Sequence, residues 1–370
     1  MAEPLKNAFG ESFVRKIATM VSRVHPAFPS ARFTSDSLEG LEALSLTDRA
    51  RHVMRALRQH LPPSYPEAIE ILIRSLGPEM ERSELNGMDV FVYLPHVFFV
   101  AEYGLDHFEP SMRAQYELTK RFTAEFSIRA YLQHHQEKTL ARLKEWALDP
   151  NVHVRRLVSE GSRPRLPWAA RLKEFQRDPK PVLELLDLLK DDPELYVRRS
   201  VANNLNDIGK DHPELLAETC RRWSDGATPE RKWLIRHALR SAVKRGHAGA
   251  MEVMGAGAKP HVAIEKAKVA PRTLRIGEKM SFSFELVSEA KRRQNLIVDF
   301  QVHYVKANGE TRAKVFKLSE VELPAGGRLI FQKSLSFEQR TTRVHYPGLH
   351  KVEVLVNGQA YPLGKLELRA

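Results

Sequence analysis

Asp149-Pro150-Asn151-Val152-His153-Val154-Arg155-Arg156 and Asp192-Pro193-Glu194-Leu195-Tyr196-Val197-Arg198-Arg199 match position for position. A weaker third copy runs Thr228-Pro229-Glu230-Arg231-Lys232-Trp233-Leu234-Ile235-Arg236-His237. The spacing is about 40 residues, the length of one pair of helices in a stacked repeat. Each copy opens on a proline that starts a helix. Such a pair cannot bury its apolar face alone, so neighbouring pairs must complete the core and build a curved solenoid. The second helices of successive pairs line one concave face. Arg155, Arg156, Arg198 and Arg199 are therefore expected along that face in register. Solvated helix ends are the bland alternative. The repetition of the arginine pair favours phosphate contact instead.

Working outward, residues 1 to roughly 260 carry helical patterning and resemble HEAT-type repeats. In Glu11–Val24, Phe13, Ile17, Val21 and Val24 fall at helical spacing, and Pro26 ends the run. Asp36-Ser37-Leu38-Glu39 has the form of a capping box. Leu46–Leu61 and Tyr65–Leu76 continue the series. Asp89–Gly104 is nearly all apolar and predicts a buried helix bent near Pro95. The glycine-rich stretch Ala248–Pro260 breaks the pattern, and period two follows. Lys279–Val287, Gln294–Val305, Arg328–Phe337 and Lys351–Val356 alternate as strands, with Asn308-Gly309 and Asn357-Gly358 as hairpin turns. The expected fold is multidomain α + β. An all-α HEAT-like repeat solenoid over 1–255 precedes an immunoglobulin-like β-sandwich over 261–370.

Composition narrows the partner. Among 370 residues, 58 Lys and Arg face 46 Asp and Glu, a net charge of +12. An excess of that size favours an anionic partner, most often nucleic acid. No basic amphipathic anchor, apolar span or secretory signal is present, so a membrane partner is not expected. Cys220 is the only cysteine, which excludes an intramolecular disulfide and a cysteine-based zinc site. His96 and His107 read as isolated, hydrogen-bonded histidines of a helical core, His134-His135 has no third ligand in useful spacing, and no metal is expected. A soluble intracellular protein is expected.

The segment Ser159-Glu160-Gly161-Ser162-Arg163-Pro164-Arg165-Leu166-Pro167-Trp168 joins the first two repeats. Gly161 is expected to stop the preceding helix in the left-handed conformation. Pro164 and Pro167 stiffen Arg163 and Arg165, and Trp168 closes the turn. One acid, two guanidiniums and an indole on a rigid turn suit gripping and polarising a ligand. A proline-rich connector with a buried Trp168 is the plain alternative. Phosphate-binding, dinucleotide, zinc-protease and serine-hydrolase signatures are all missing from the sequence. What remains is acids among basic repeats: Glu125, Glu160 and Asp207, each one repeat from the next. Carboxylates in a DNA cleft repel phosphate, so they make sense there only if they face something cationic.

With those residues in view, the chain resembles the AlkC branch of the HEAT-like repeat alkylpurine DNA glycosylases. The resemblance rests on PLKNAFGESFVRKIA (4–18), FTAEFSIRAYL (122–132), HVRRLVSEGSRPRLPW (153–168) and VRRSVANNLNDIGKDHP (197–213). The C-terminal immunoglobulin-like domain also belongs to this branch. The AlkD branch differs in placing two tryptophans around its aspartate, whereas only Trp168 lies in the key segment here. The resemblance implies a monofunctional DNA glycosylase of base excision repair, acting on N3-alkylated bases such as 3-methyladenine and 3-methylcytosine without base flipping. It implies catalytic roles for Glu125, Glu160 and Asp207, and an indole, Trp168, against the deoxyribose. Arg155, Arg156, Arg163, Arg165, Arg198 and Arg199 are the expected phosphate contacts. The expected partner is double-stranded DNA carrying alkylated bases, with no cofactor, no membrane and a monomeric, cytoplasmic protein at work on the nucleoid. A repeat scaffold and a non-catalytic damage binder remain as alternatives.

Overall fold

The computed structural model describes residues 9–81, 89–257, 259–340 and 343–370. The first residues of the 4–18 motif, 4–8, lie outside that range. Two compact units are present, Met1–Asp211 and His212–Ala370.

The first unit is helical: Glu11–Val24 (α1), Ser30–Leu38 (α2), Leu46–His60 (α3), Tyr65–Ser75 (α4), Leu94–Tyr103 (α5), Phe108–Thr119 (α6), Ser127–His134 (α7), Gln136–Trp146 (α8), Val152–Gly161 (α9), Lys173–Arg177 (α10), Lys180–Leu189 (α11) and Leu195–Ile208 (α12). Phe13, Ile17 and Val21 of α1 are buried, as their spacing demands. Two local expectations change. Asp36 sits inside α2, not at a cap, and its carboxylate meets His60 Nε2 at 2.7 Å. Pro95 opens α5 after a short 3₁₀ turn, Asp89–Tyr93, so the proline starts a helix where its missing N–H costs nothing.

The repeat has a structural meaning that the sequence hid. Asp149 Oδ1 accepts from the Asn151 N–H, and Asp192 Oδ1 accepts from the Glu194 N–H. Arg155 then donates to the carbonyls of Asp149 and Pro150, at 2.9 and 3.0 Å. Arg198 does the same to Asp192 and Pro193, at 2.6 and 2.7 Å. In both copies the first arginine of the pair clasps the turn that precedes its own helix. Arg155 also forks onto the Asp192 carboxylate, so one repeat is tied to the next.

The second unit opens with Pro213–Ser224 (α13), Pro229–Lys244 (α14) and Ala248–Val253 (α15). Strands follow: Val262–Ala270 (β1), Thr273–Arg275 (β2), Lys279–Ser288 (β3), Gln294–Val305 (β4), Thr311–Leu323 (β5), Arg328–Ser336 (β6), Gly348–Val356 (β7) and Gln359–Arg369 (β8). They form a three-stranded sheet, β1-β3-β6, and a five-stranded sheet, β2-β8-β7-β4-β5. The immunoglobulin-like sandwich is therefore present. Phe282, Phe284, Phe300, Phe337 and Val354 fill the space between its sheets. The β7–β8 hairpin turns on Asn357 and Gly358, both at positive φ (45° and 78°), as a two-residue primed turn requires. Met251, Ala256 and Ile297 form a small apolar cluster between the last helix and β4. The helix-to-strand change thus lies between Val253 and Val262, while the compact units part at Asp211.

Candidate active site

Helix α9 begins where the Asn151 side chain accepts from the His153 N–H. Its apolar face, Val154, Leu157 and Val158, is fully buried. The helix includes Gly161, whose φ is not positive, so glycine is not there as a left-handed stop. A Cβ at that position would lie 2.5 Å from Ile128 Cγ2 of α7. Glycine is required because two helices meet closely, and that close approach sets where Glu160 points.

The three acids expected from the sequence come together. Arg156 Nη1 donates to Glu125 Oε2 at 2.7 Å, and its Nη2 lies 3.4 Å from Glu160 Oε1. Arg163 Nη1 donates to Glu160 Oε1 at 2.8 Å, while its Nε and Nη2 reach Asp207 Oδ2, both at 2.8 Å. Lys210 Nζ closes the row on Asp207 Oδ1 at 2.7 Å. Acid and base alternate from Glu125 to Lys210 through Arg156, Glu160, Arg163 and Asp207. Asp207 is almost fully buried at 1% exposure, Glu160 is 7% exposed, and Glu125 keeps the most solvent access. Burial alone would raise the Glu160 pKa. Arg156 and Arg163, with the Ser200 hydroxyl, outweigh it and hold the carboxyl below the usual glutamate range. Burial likewise works against the Arg156 and Arg163 cations, and the carboxylates beside them raise both pKa values.

Three supporting residues were not anticipated. Ser200 Oγ donates to Glu160 Oε2 at 2.6 Å. Asn204 Nδ2 donates to the Ser159 carbonyl at 2.7 Å and lies 3.1 Å from Ser162 Oγ. Ser200, Asn204 and Asp207 recur at i, i+4 and i+7, a polar stripe on one face of α12 that the sequence does display. Arg129 is the third. Its Nη1 donates to the carbonyls of Gly161 (3.1 Å) and Arg163 (2.6 Å), and its Nη2 donates to Ala170. It spans the turn that carries Trp168. Burial lowers its pKa to about 10. The signal was a lone charge within the largely apolar run Phe126–Leu132.

Trp168 differs from the buried alternative: it is 75% exposed. Its φ is +63°, rare for any residue but glycine. The Ala169 N–H bonds to the Leu166 carbonyl, so Pro167 and Trp168 occupy the centre of a β-turn. Proline at the first central position with positive φ at the second is the type II pattern, where glycine normally stands. A large aromatic ring held in solvent on a strained turn marks a contact surface rather than a core. A cavity of about 220 Å3, floored by Phe98, Phe126 and Arg129, opens beside the indole.

The expected phosphate contacts separate into two groups. Arg155 and Arg198 are engaged by the turns described above. Arg163 is buried between Glu160 and Asp207, and Arg156, half-buried, lies between Glu125 and Glu160. Internal pairing therefore accounts for these four. Arg165, paired with Asp211 at 2.5 Å, stays partly accessible, and Arg199 is exposed. In the sandwich, Lys306, Arg312, Lys314 and Arg343 gather with Tyr304 and Tyr346 around an open cavity of about 980 Å3. Burial and the neighbouring cations Arg343, Lys244 and Lys306 lower the Lys314 pKa. Among the described residues, no cluster of His, Cys, Asp and Glu suits a metal ion, and no helix is long and apolar enough to cross a membrane.

Known proteins resemble this chain along its whole length. Residues 122–245, from the Glu125 segment to the end of α14, match the family described as DNA alkylation repair enzyme. Residues 263–370 match the C-terminal Ig-like domain of the uncharacterised protein YhaZ. Over the whole chain, the Bacillus subtilis protein YhaZ is 37% identical across 356 residues, 96% of each chain. The solved structure of Pseudomonas fluorescens alkylpurine DNA glycosylase AlkC, bound to DNA containing an abasic site analog, is 42% identical with a TM-score of 0.90, covering 100% of both chains. The helical unit and the immunoglobulin-like sandwich that follows it are thus those of a DNA alkylation repair protein. This chain belongs to the AlkC family within it.

Proposed function

We propose that this protein is a monofunctional DNA glycosylase that hydrolyses the N-glycosidic bond of cationic N3-alkylated bases, 3-methyladenine and 3-methylcytosine, in double-stranded DNA. The observation that carries the proposal is the row Glu125–Arg156–Glu160–Arg163–Asp207 beside the exposed, strained Trp168. An N3-alkylated base already bears a positive charge. When the C1′–N bond breaks, its electron pair goes to the base, which leaves neutral without a general acid. The sugar becomes oxocarbenium-like, water adds to C1′, and the water proton passes to a carboxylate or to solvent. Glu125 and Glu160 stabilise the developing sugar charge and hold the water. Asp207 anchors Arg163 and thereby the orientation of Glu160. Trp168 packs on the deoxyribose.

At an effective dielectric of ~20, one charge pair at ~4 Å is worth ~4 kcal/mol. Such a contact supports roughly a thousandfold in rate if it is made only in the transition state. The solved relative, bound to DNA with an abasic site analog, supports DNA as the partner. Arg165, partly accessible beside Asp211, and the exposed Arg199 contact backbone phosphates from the helical unit. Lys306, Arg312, Lys314 and Arg343 supply a second group on the sandwich. Incubating the purified protein with methylated duplex DNA and quantifying free base by chromatography tests the proposal. Time-dependent release of 3-methyladenine is expected. Tight binding without release indicates a damage binder, and neither binding nor release indicates a scaffold.

A further inference from the structure

A separate cavity of about 310 Å3 lies between α14 and strands β4 and β5, at the lower end of the size range of small-molecule sites. None of its lining residues belongs to the row of acids and arginines described above. Trp233, His237, Arg240 and Lys244 line one wall at helical spacing. Trp146 and Trp223 are buried, but Trp233 is 37% exposed. Its indole lies flat on the His237 imidazole, with centroids 5.0 Å apart and an interplanar angle of 8°. A coplanar aromatic pair at the mouth of a cavity is a platform for another flat ring.

The opposite wall carries Asp299. It sits where the β4–β5 pairing shifts register, between Val298 and Asp299. Bulges of this kind re-aim a side chain. Asp299 is only 5% exposed, and the nearby Leu318 backbone N–H favours its charged form. Among the described residues, no lysine or arginine closes an ion pair on it. Glu320 nearby is different, since Arg236 (2.7 Å) and Lys317 (2.6 Å) neutralise it. Burial raises the Asp299 pKa, and Lys244 and Lys317 act on it from beyond contact distance. A buried carboxyl lacking a cationic partner, in the wall of a cavity, is a group that a ligand's donors can satisfy.

The ligand must be flat, must turn donors toward Asp299, and must suit a rim of cations. Guanine offers two adjacent donors on one edge, N1–H and the exocyclic amine, matching the two carboxylate oxygens. Adenine and cytosine place an acceptor beside their amine. Thymine places its single N–H between two acceptors. We propose that this cavity binds a guanine nucleotide, its ring on the Trp233–His237 pair, its donor edge on Asp299, and its phosphate toward Lys244 and Lys317.

Free dGMP and a guanine within single-stranded DNA present the same chemistry. Calorimetric titration of the full-length protein with dGMP, dAMP, inorganic phosphate, d(TGT) and d(TAT) separates them. Saturable binding of dGMP or d(TGT) is expected, about tenfold or more tighter than the adenine counterpart. If both guanine ligands bind, the site takes the mononucleotide; if only d(TGT) binds, it takes a strand. Trp233→Ala and Asp299→Asn should each weaken binding about tenfold or more, with thermal melts confirming that both variants fold. Trp233→Ala alters an exposed side chain and keeps the test valid if Asp299→Asn unfolds. No saturation at millimolar ligand, equal affinity for guanine and adenine, or unchanged binding in the folded variants would overturn the proposal.

Discussion

Trp168→Gly should separate structure from function. The side chain is 75% exposed and its backbone has φ +63°. Holding a non-glycine residue in that region costs about 1–3 kcal/mol, which glycine recovers. Against this stand two losses. About a quarter of the residue is covered, roughly 60 Å2 of the ~250 Å2 a tryptophan offers, or about 1.5 kcal/mol at 25 cal/mol per Å2. Glycine also gives up about 0.5–1 kcal/mol of unfolded-chain entropy on folding. The terms nearly cancel, so the outcome should lie between about 1 kcal/mol more stable and about 1.5 kcal/mol less stable. A buried tryptophan truncated in the same way would cost about 3–5 kcal/mol.

Base release should nonetheless fall by about tenfold or more, because the ring proposed to pack on the sugar is gone. The assay pairs a denaturant melt with single-turnover release of 3-methyladenine from duplex DNA. A destabilisation of about 3 kcal/mol would show that the indole is packed, against its exposure. A stable variant releasing base at the unaltered rate would remove Trp168 from the mechanism. Trp168→Phe should recover part of the activity while keeping the strain.

Further outcomes follow from the same geometry. Glu160→Gln should lower release by about tenfold or more. It should cost less than the 3–5 kcal/mol usual for a broken buried pair, because Arg156 keeps Glu125 and Arg163 keeps Asp207; a denaturant melt checks the second point. Because the folded Glu160 pKa is depressed, the charge and its contribution to stability are present above the unfolded value and lost only as pH falls through the lower folded one. Release corrected for spontaneous depurination should therefore show no acid limb between about pH 5 and 8, and a limb near 6–7 would contradict the assignment. Arg129→Lys keeps the charge but not the fan of bonds to Gly161, Arg163 and Ala170; kcat should fall more than KM rises, with the pH profile unmoved. Lys306→Gln with Lys314→Gln should flatten the salt dependence of DNA binding by about two units of slope, read by fluorescence anisotropy. Uracil and hypoxanthine should stay in place at high enzyme, and their efficient excision would reveal a proton donor that the proposal lacks.

Much of this molecule was legible before any coordinates. Periodicity located α1, α3 and α4 nearly to the residue, because a single apolar stripe faces each core. Strands β3, β4, β6 and β7 were visible for the same reason. Strands β1, β5 and β8 were not. Charges scattered through VAIEKAKVA and TRAKVFKLSEVEL blur their alternation, and Pro362 and Gly364 interrupt it in QAYPLGKLELR. The repeat revealed a solenoid, yet its arginine pair was ambiguous. The same Val-Arg-Arg is compatible with clasping a turn or gripping a phosphate, and only the position of the Asp-Pro carbonyls decides. Trp168 showed the limit most clearly. A Pro-Trp dipeptide says nothing of the sign of φ, so a strained, solvent-facing ring and a buried one read alike.

The convergence of Glu125, Glu160 and Asp207 raises a physical difficulty, since three carboxylates in a DNA-binding protein should repel phosphate. The pairing resolves it. Arg156, Arg163 and Lys210 match the three acids one for one, so the row is neutral overall. Seen from a phosphate ten ångströms away, alternating charges a few ångströms apart largely cancel, and salt screens the remainder over a Debye length of about 8–10 Å. At contact range the cancellation fails, and whichever oxygen is nearest dominates. A cationic sugar against Glu125 or Glu160 feels that carboxylate more strongly than the guanidinium behind it. Buried ion pairs of this kind add little to stability by themselves. In the proposed reaction, their value would lie in holding negative oxygens fixed before charge develops at C1′, so that no reorganisation accompanies bond cleavage. Ser200, Asn204 and Arg129 belong to the same design, because each fixes the helix end or the turn from which one of these groups projects.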